Sequence, residues 1–234
     1  MKIAIAIGAP DTPEAVDKIR KANELADLLE LRLDLLPACR LAELVRAAIR
    51  PVIATYRSAR QGGAGSDNYQ VRQRFLQEGL AAGARMVDVE FDLPPRFREG
   101  FFRNPGADRT IISAHLPEGT PSWTALKRLL LEMAAIGTSI IKIVSLARAV
   151  EDNLRVLRLI PEARQKGLEI IAFCMGPLGR ISRVASPLLG GYLTFASLEE
   201  GEESAPGQIP AREIRKMLNL LIAPSLYGRG SGGG

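Results

Sequence analysis

The 234-residue chain is poor in the side chains that build the simplest functional sites: it has two cysteines, one histidine, one tryptophan and 5% aromatic residues. Cys39 and Cys174 each sit in an apolar stretch, too few to staple a small domain or to furnish a cysteine-based zinc site, and they suit a reducing compartment. A lone histidine removes the HExxH motif and other multi-histidine metal spacings, so no metal site is expected. Lys and Arg outnumber Asp and Glu by 31 to 26, but without a basic block or an aromatic-studded stripe the net charge of +5 is too diffuse to mark a nucleic-acid surface. No apolar run approaches the roughly 18 residues that span a bilayer. The opening MKIAIAIGAP reads as a strand with no cleavage site behind it. A soluble, cytoplasmic protein with a small-molecule partner is expected.

What the chain does have is apolar bulk, 47% of its residues, which suffices for one sizeable core. Short β-branched runs recur at 2–8, 28–34, 51–56, 86–91, 110–115, 140–145, 169–175 and 191–197, their starts 22 to 35 residues apart. Amphipathic stretches lie between them, among them 13–27, 70–82, 122–136 and 151–166, the last two opening on Ser122 and Asp152 as expected caps. Strict alternation implies parallel strands with right-handed helical crossovers. Eight such units in this length fit an α/β fold of the (β/α)8 barrel type in a single domain, 1–227, better than a doubly wound open sheet. The closing GRGSGGG, 228–234, is expected to be a flexible tail outside the fold.

Buried barrel strands should be apolar, so their charges carry the information. In LLELRLDLL, Glu30, Arg32 and Asp34 share one face and the leucines the other, and the leucines can meet the helix layer only if the charges point inward. MVDVEF repeats the pattern with Asp88 and Glu90. PVIATYR delivers Arg57, TIISAH ends on His115, IIKIVS carries Lys142 between isoleucines, and Arg183 follows the seventh strand. Glu30, Asp34, Asp88 and Glu90 balance Arg32, Arg57, Lys142 and Arg183, as buried ions must to persist. Such a set at the C-terminal end of a barrel points to chemistry, whereas ordinary interior ion pairs or water-exposed strand faces would need no function.

A free lysine exposes its unprotonated amine in only about one molecule in a thousand at neutral pH. Burial among isoleucines, with Arg57 or Arg183 nearby, can change that and make Lys142 a Schiff-base nucleophile. The alternative is a structural lysine paired with Glu90 or Asp88. His115, on the neighbouring strand, is then a general acid and base if it is not simply a packed core residue.

Together the segments ELRLD (Glu30 to Asp34), YRSARQGG (Tyr56 to Gly63), VDVEF, SAH, IIKIV, MGPLGRISR (Met175 to Arg183) and SAPGQ (Ser204 to Gln208) resemble the type I 3-dehydroquinate dehydratases, across essentially the whole barrel. The resemblance implies a cofactor-free lyase of the shikimate pathway, a homodimer, in which Lys142 forms an imine with the C3 ketone and His115 shuttles protons. It assigns Glu30, Arg32 and Arg57 to the ring hydroxyls and Arg183, Ser204 and Gln208 to the carboxylate, with Glu90, Gln61, Met175 and Phe195 in support. One position departs: Gln61 stands where the family usually has a glutamate thought to orient the histidine, a loss of charge expected either to lower the basicity of His115 or to leave Glu90 as its electrostatic partner. Two other readings compete, an aldolase using the same lysine on a phosphorylated sugar, with GPLGRIS and Gly190–Gly191 as its phosphate cradle, and a barrel that only binds.

Overall fold

A computed structural model of the chain describes residues 1–222. Eight strands, β1 (Ile3–Ile7), β2 (Leu28–Arg32), β3 (Val52–Thr55), β4 (Met86–Glu90), β5 (Thr110–Leu116), β6 (Ile140–Leu146), β7 (Glu169–Met175) and β8 (Thr194–Ala196), form one sheet ordered β7-β6-β5-β4-β3-β2-β1-β8. Every ladder in it is parallel. Between β7 and the approach to β8 the seam is bridged by the Tyr192 amide donating to the Ile170 carbonyl at 2.7 Å. This is the (β/α)8 barrel that the alternation predicts. The expected end of the domain at 227 and the tail 228–234 lie outside the described residues.

The helices are α1 (Thr12–Leu25), α2 (Leu41–Ala47), α3 (Tyr69–Ala81), α4 (Pro95–Phe101), α5 (Trp123–Ala134), α6 (Asp152–Leu157), α7 (Leu159–Arg164), α8 (Arg180–Leu188) and α9 (Ala211–Ile222). Local chemistry sets their starts. Asp11 accepts the Glu14 amide at the head of α1, Asn68 accepts those of Gln70 and Val71 at α3, and Ser122 that of Ala125 at α5. The expected cap at Asp152 is corrected: it is the first residue of α6, and its carboxylate reaches back to the Arg148 and Ala149 amides. The stretch 151–166 is also two helices rather than one. Pro161 has no N–H to give the Leu157 carbonyl, so the ladder breaks at Arg158. Among the described residues no helix is long and apolar enough to cross a membrane.

The barrel interior has a floor built from each strand or its entry: Ala4, Leu28, Ile53, Met86, Ile111, Ile140, Ile171 and Leu193, packed as one buried cluster. Two residues further along, on the same face, stand Glu30, Thr55, Asp88, Ser113 and Lys142. One more step brings Arg32, Arg57, Glu90 and His115. The opposite faces, with Ile5, Leu29, Ala54, Val87, Ile112, Ile141 and Ala172, pack under the helices. The inward parity holds for every expected charge on a strand except Asp34. β2 ends at Arg32, opposite Thr55 at the end of β3, so Leu33–Leu35 curls into a 3-10 turn.

Helix α3 comes so close to β3 that a methyl group on Gly79 would lie 2.6 Å from the Ala54 Cβ. Ala54 belongs to the sheet and cannot swing away. Gly79→Ala should therefore cost about 1–3 kcal/mol despite alanine's better helix propensity, read as a lower urea midpoint at unchanged slope.

Candidate active site

Lys142, His115, Glu30, Arg32, Arg57, Arg183, Ser204, Gln208, Gln61, Met175 and Phe195 all border one pocket at the C-terminal mouth of the barrel. Glu90 does not line it; it lies behind Arg57. Thr55, Val144 and Phe173 also line it and went unnoticed in the sequence. Thr55 sits at inward parity but carries no charge, and the two apolar residues look like floor.

Lys142, 3% exposed, donates to Asp88 Oδ2 at 2.8 Å and Glu30 Oε1 at 3.4 Å, and its Nζ stands 4.1 Å from the centre of the Phe195 ring. The expectation of an amine crowded by Arg57 or Arg183 is thereby corrected: carboxylates reach it first. Of the two partners considered from the sequence, Asp88 is present and Glu90 is not. Arg57 donates to the other Asp88 oxygen at 2.8 Å, to Glu90 Oε1 at 2.9 Å and to Ser113 at 3.0 Å. Thr55 donates to Glu30 at 2.9 Å. Burial pushes the Asp88 carboxyl up, but Arg57 and Lys142 outweigh it and hold it far below the usual carboxylate range. Arg57 is buried too, and Asp88, Glu90 and Glu30 keep it charged.

Asp34, though off the strand, ties two loops together. It accepts Arg32 Nε at 2.9 Å and Nη2 at 2.7 Å, and also the backbone amides of Arg57 and Ala64. Desolvation opposes its ionisation, and the Arg32 contact with those two amides prevails, lowering its pKa.

His115 is half-buried on β5, beside β6, two places beyond Ser113, which pairs in register with Lys142. Burial and then the Arg57 and Lys142 charges drive its imidazole well below pH 6.5, against the pull of Asp88. The ring is therefore neutral at pH 7, the form that accepts a proton. An unfolded imidazole titrates near 6.5, so the fold keeps this contribution above that pH and loses it as the pH falls toward the folded value. His115 Nδ1 is buried and, among the described residues, has no hydrogen-bond partner. Gln61 Oε1 accepts the His115 backbone amide at 3.0 Å rather than orienting the ring, and Glu90 is occupied by Arg57, the Ser58 amide and Arg72.

Arg183, past β7 as expected, lies in the first turn of α8 and points back into the barrel, 1% exposed. Its partners are the carbonyls of Phe195 at 3.4 Å and Pro206 at 3.2 Å, with the Phe173 ring 4.6 Å away and Nε unpartnered. Burial lowers its pKa to about 10, still charged at neutral pH. Arg32, Arg57 and Lys142 each meet a carboxylate; Arg183, among the described residues, meets none. The segment after β8 closes over this side. Ser204 donates its amide to Gln208 Oε1 at 2.8 Å, the Ser204 carbonyl accepts Arg32 at 3.4 Å, and the Pro206 carbonyl accepts the Gly176 amide at 3.0 Å.

A phosphate cradle fares less well. GPLGRIS does follow β7 at the mouth, but Gly190 and Gly191 precede β8 and so sit at the opposite end of the barrel, while the segment that follows β8 carries Glu199, Glu200, Glu202 and Glu203. Among the described residues no three His, Cys, Asp or Glu side chains are grouped to hold a metal ion.

The family model for type I 3-dehydroquinase matches residues 3–224. A 3-dehydroquinate dehydratase of Thermococcus gammatolerans is 40% identical over 222 residues, 94% of this chain and 98% of its own length. One of Syntrophobacter fumaroxidans is 42% identical over 184 residues, 78% of each. The crystal structure of 3-dehydroquinate dehydratase from Geobacillus kaustophilus superposes with a TM-score of 0.85 at 27% identity, covering 96% of this chain and 92% of that one. With sequence and fold agreeing over nearly the full length, the chain belongs to the type I 3-dehydroquinase family.

Proposed function

We propose that the protein dehydrates 3-dehydroquinate to 3-dehydroshikimate through an imine on Lys142, with His115 as the proton shuttle. The observation that carries this reading is a buried lysine sharing one pocket with a neutral imidazole and with an arginine that meets no carboxylate among the described residues. A substrate that is both ketone and carboxylate answers both needs. Its carboxylate supplies the anion that Arg183 lacks, in bidentate geometry, with Ser204 and Gln208 beside it, while Glu30, Arg32 and Arg57 face the ring hydroxyls.

The Lys142 amine adds to the C3 carbonyl and the carbinolamine loses water, leaving a protonated imine. That cation is a far better electron sink than the ketone, so the C2 proton becomes removable by His115. The C2–H electrons form the C2–C3 double bond of an enamine as the imine electrons move onto nitrogen. The enamine then pushes back, forming the C1–C2 double bond and regenerating the protonated imine as the C1–O bond breaks, and the imidazolium gives its proton to the departing hydroxyl, which leaves as water. A second water hydrolyses the imine, releasing the enone and restoring the amine. Asp88, held ionised, keeps the lysine side chain on the pocket axis.

Borohydride added with 3-dehydroquinate tests the reading. A mass increase mapped to Lys142 is expected, and an unmodified chain overturns it. Arg183→Ala should weaken substrate binding about ten- to a hundredfold with a smaller change in kcat. Because it removes a buried cation that meets no carboxylate among the described residues, the free protein should lose less thermal stability than truncating a buried side chain of that size usually costs. The homodimer and the cytoplasmic location implied by the family go with this proposal, and sedimentation of the purified chain tests the first.

A further inference from the structure

Behind His115 lies a second set of charges that the proposed reaction does not touch. Arg72 enters from α3, 2% exposed, and spans two acids: its Nη2 is 2.6 Å from Glu90 Oε2 and 2.5 Å from Asp92 Oδ1, and its Nη1 donates to Asp92 Oδ2 at 3.2 Å. Asp92, just past β4, also accepts Gln61 Nε2 at 3.0 Å. The exposed Arg60 guanidinium stands 3.8 Å from its other oxygen. Gln61 Oε1 accepts the His115 amide at 3.0 Å, and Glu90 Oε1 accepts Arg57. The contacts thus run from Arg57 in the pocket, around the outside of the strand ends, and back to the histidine.

The direction of the Gln61 amide follows from its neighbours. A backbone N–H needs an acceptor on one side and a carboxylate needs a donor on the other, which an amide supplies and an ionised glutamate does not. A carboxylate at position 61 would face Asp92 across 3.0 Å with no proton between them.

We propose that Arg72 and Asp92 are positioning residues for His115: through Gln61 they hold the end of β5 by its backbone amide and leave the imidazole free of any carboxylate partner. The inference rests on the reading of His115 as the proton shuttle. The charged groups facing the ring are Arg57 after β3, Lys142 on β6 and Arg32 on β2, opposed by Asp88 on β4, with Glu90 turned toward Arg57 and Arg72. Keeping the negative charge at 92 rather than 61 places it one side chain farther from the ring. This preserves a base that is unprotonated at neutral pH.

His115 is the chain's single histidine, so its ring proton gives one unambiguous NMR signal. The exchange variant Gln61→Glu/Asp92→Asn keeps a donor facing an acceptor between the two positions but moves the charge against the ring. Its imidazole midpoint should rise by about one unit or more over the parent's, and the acid limb of kcat should follow. Asp92→Ala, which frees the Gln61 amide, should lower kcat about tenfold with KM nearly unchanged. Asp92→Asn, which keeps an acceptor for that amide, should recover most of the loss. An exchange variant titrating at the parent midpoint, an Asp92→Ala enzyme with parent kcat, or an Asp92→Asn enzyme as impaired as the alanine variant would each overturn the inference. Should the parent fail to convert 3-dehydroquinate, the functional reading falls, while the NMR titration still decides the positioning role.

Discussion

Lys142→Met should abolish imine trapping by borohydride and lower turnover of 3-dehydroquinate by about 10⁴-fold or more, since a nucleophile that opens a covalent path has no substitute. Methionine is the informative replacement because it fills the space between Ile140, Val144 and Phe195, where alanine would leave a cavity. The fold should feel the change as well. Removing one member of a buried ion pair costs up to about 3–5 kcal/mol because its partner is stranded. Here the cost is smaller: Asp88 keeps Arg57 and Ser113, and Glu30 keeps the Thr55 hydroxyl. A thermal melt separates the two effects. A folded Lys142→Met protein that still turns over would end the imine mechanism, whereas an unfolded one calls for the milder Lys142→Gln.

His115→Ala should slow turnover by about 10²- to 10⁴-fold, the usual worth of a positioned acid and base. It should also let the imine accumulate, because Lys142 remains. That split, trapping retained while product formation fails, is what distinguishes a proton shuttle from a residue that merely shapes the pocket. Loss of a half-buried ring whose Nδ1 lacks a partner strands no hydrogen-bonded group, so the variant should fold. Wild-type turnover in this variant would remove His115 from the reaction.

Much of this architecture was legible in the chain itself. Period-two alternation in LLELRLDLL and MVDVEF can be satisfied only by strands whose apolar face meets helices, and a barrel is what turns the other faces toward one another. The pattern carries parity but not distance, and the misreadings follow from that. It places Lys142 and Arg57 on the same inner face, yet only coordinates show that Asp88 stands between them, accepting from both. It puts Asp34 on the charged face of β2, but the strand stops where β3 offers no further ladder. Arg72, within the amphipathic stretch 70–82, is not singled out by the sequence because nothing local announces that Glu90 and Asp92 lie beneath it. Pro161 was visible as a helix breaker within 151–166, and its effect on the ladder is local enough to have been foreseen.

The floor of eight apolar side chains, drawn from every strand or its approach, divides the molecule into two zones with separate tolerances. Below it, at the entry ends of the strands, no group that the reaction would use is present, so residues there are at liberty to be chosen for heat resistance alone. An engineer seeking a sturdier catalyst should work on that underside, at positions such as Lys2 and Arg85, and leave the upper rim, where each charge answers to several neighbours, untouched.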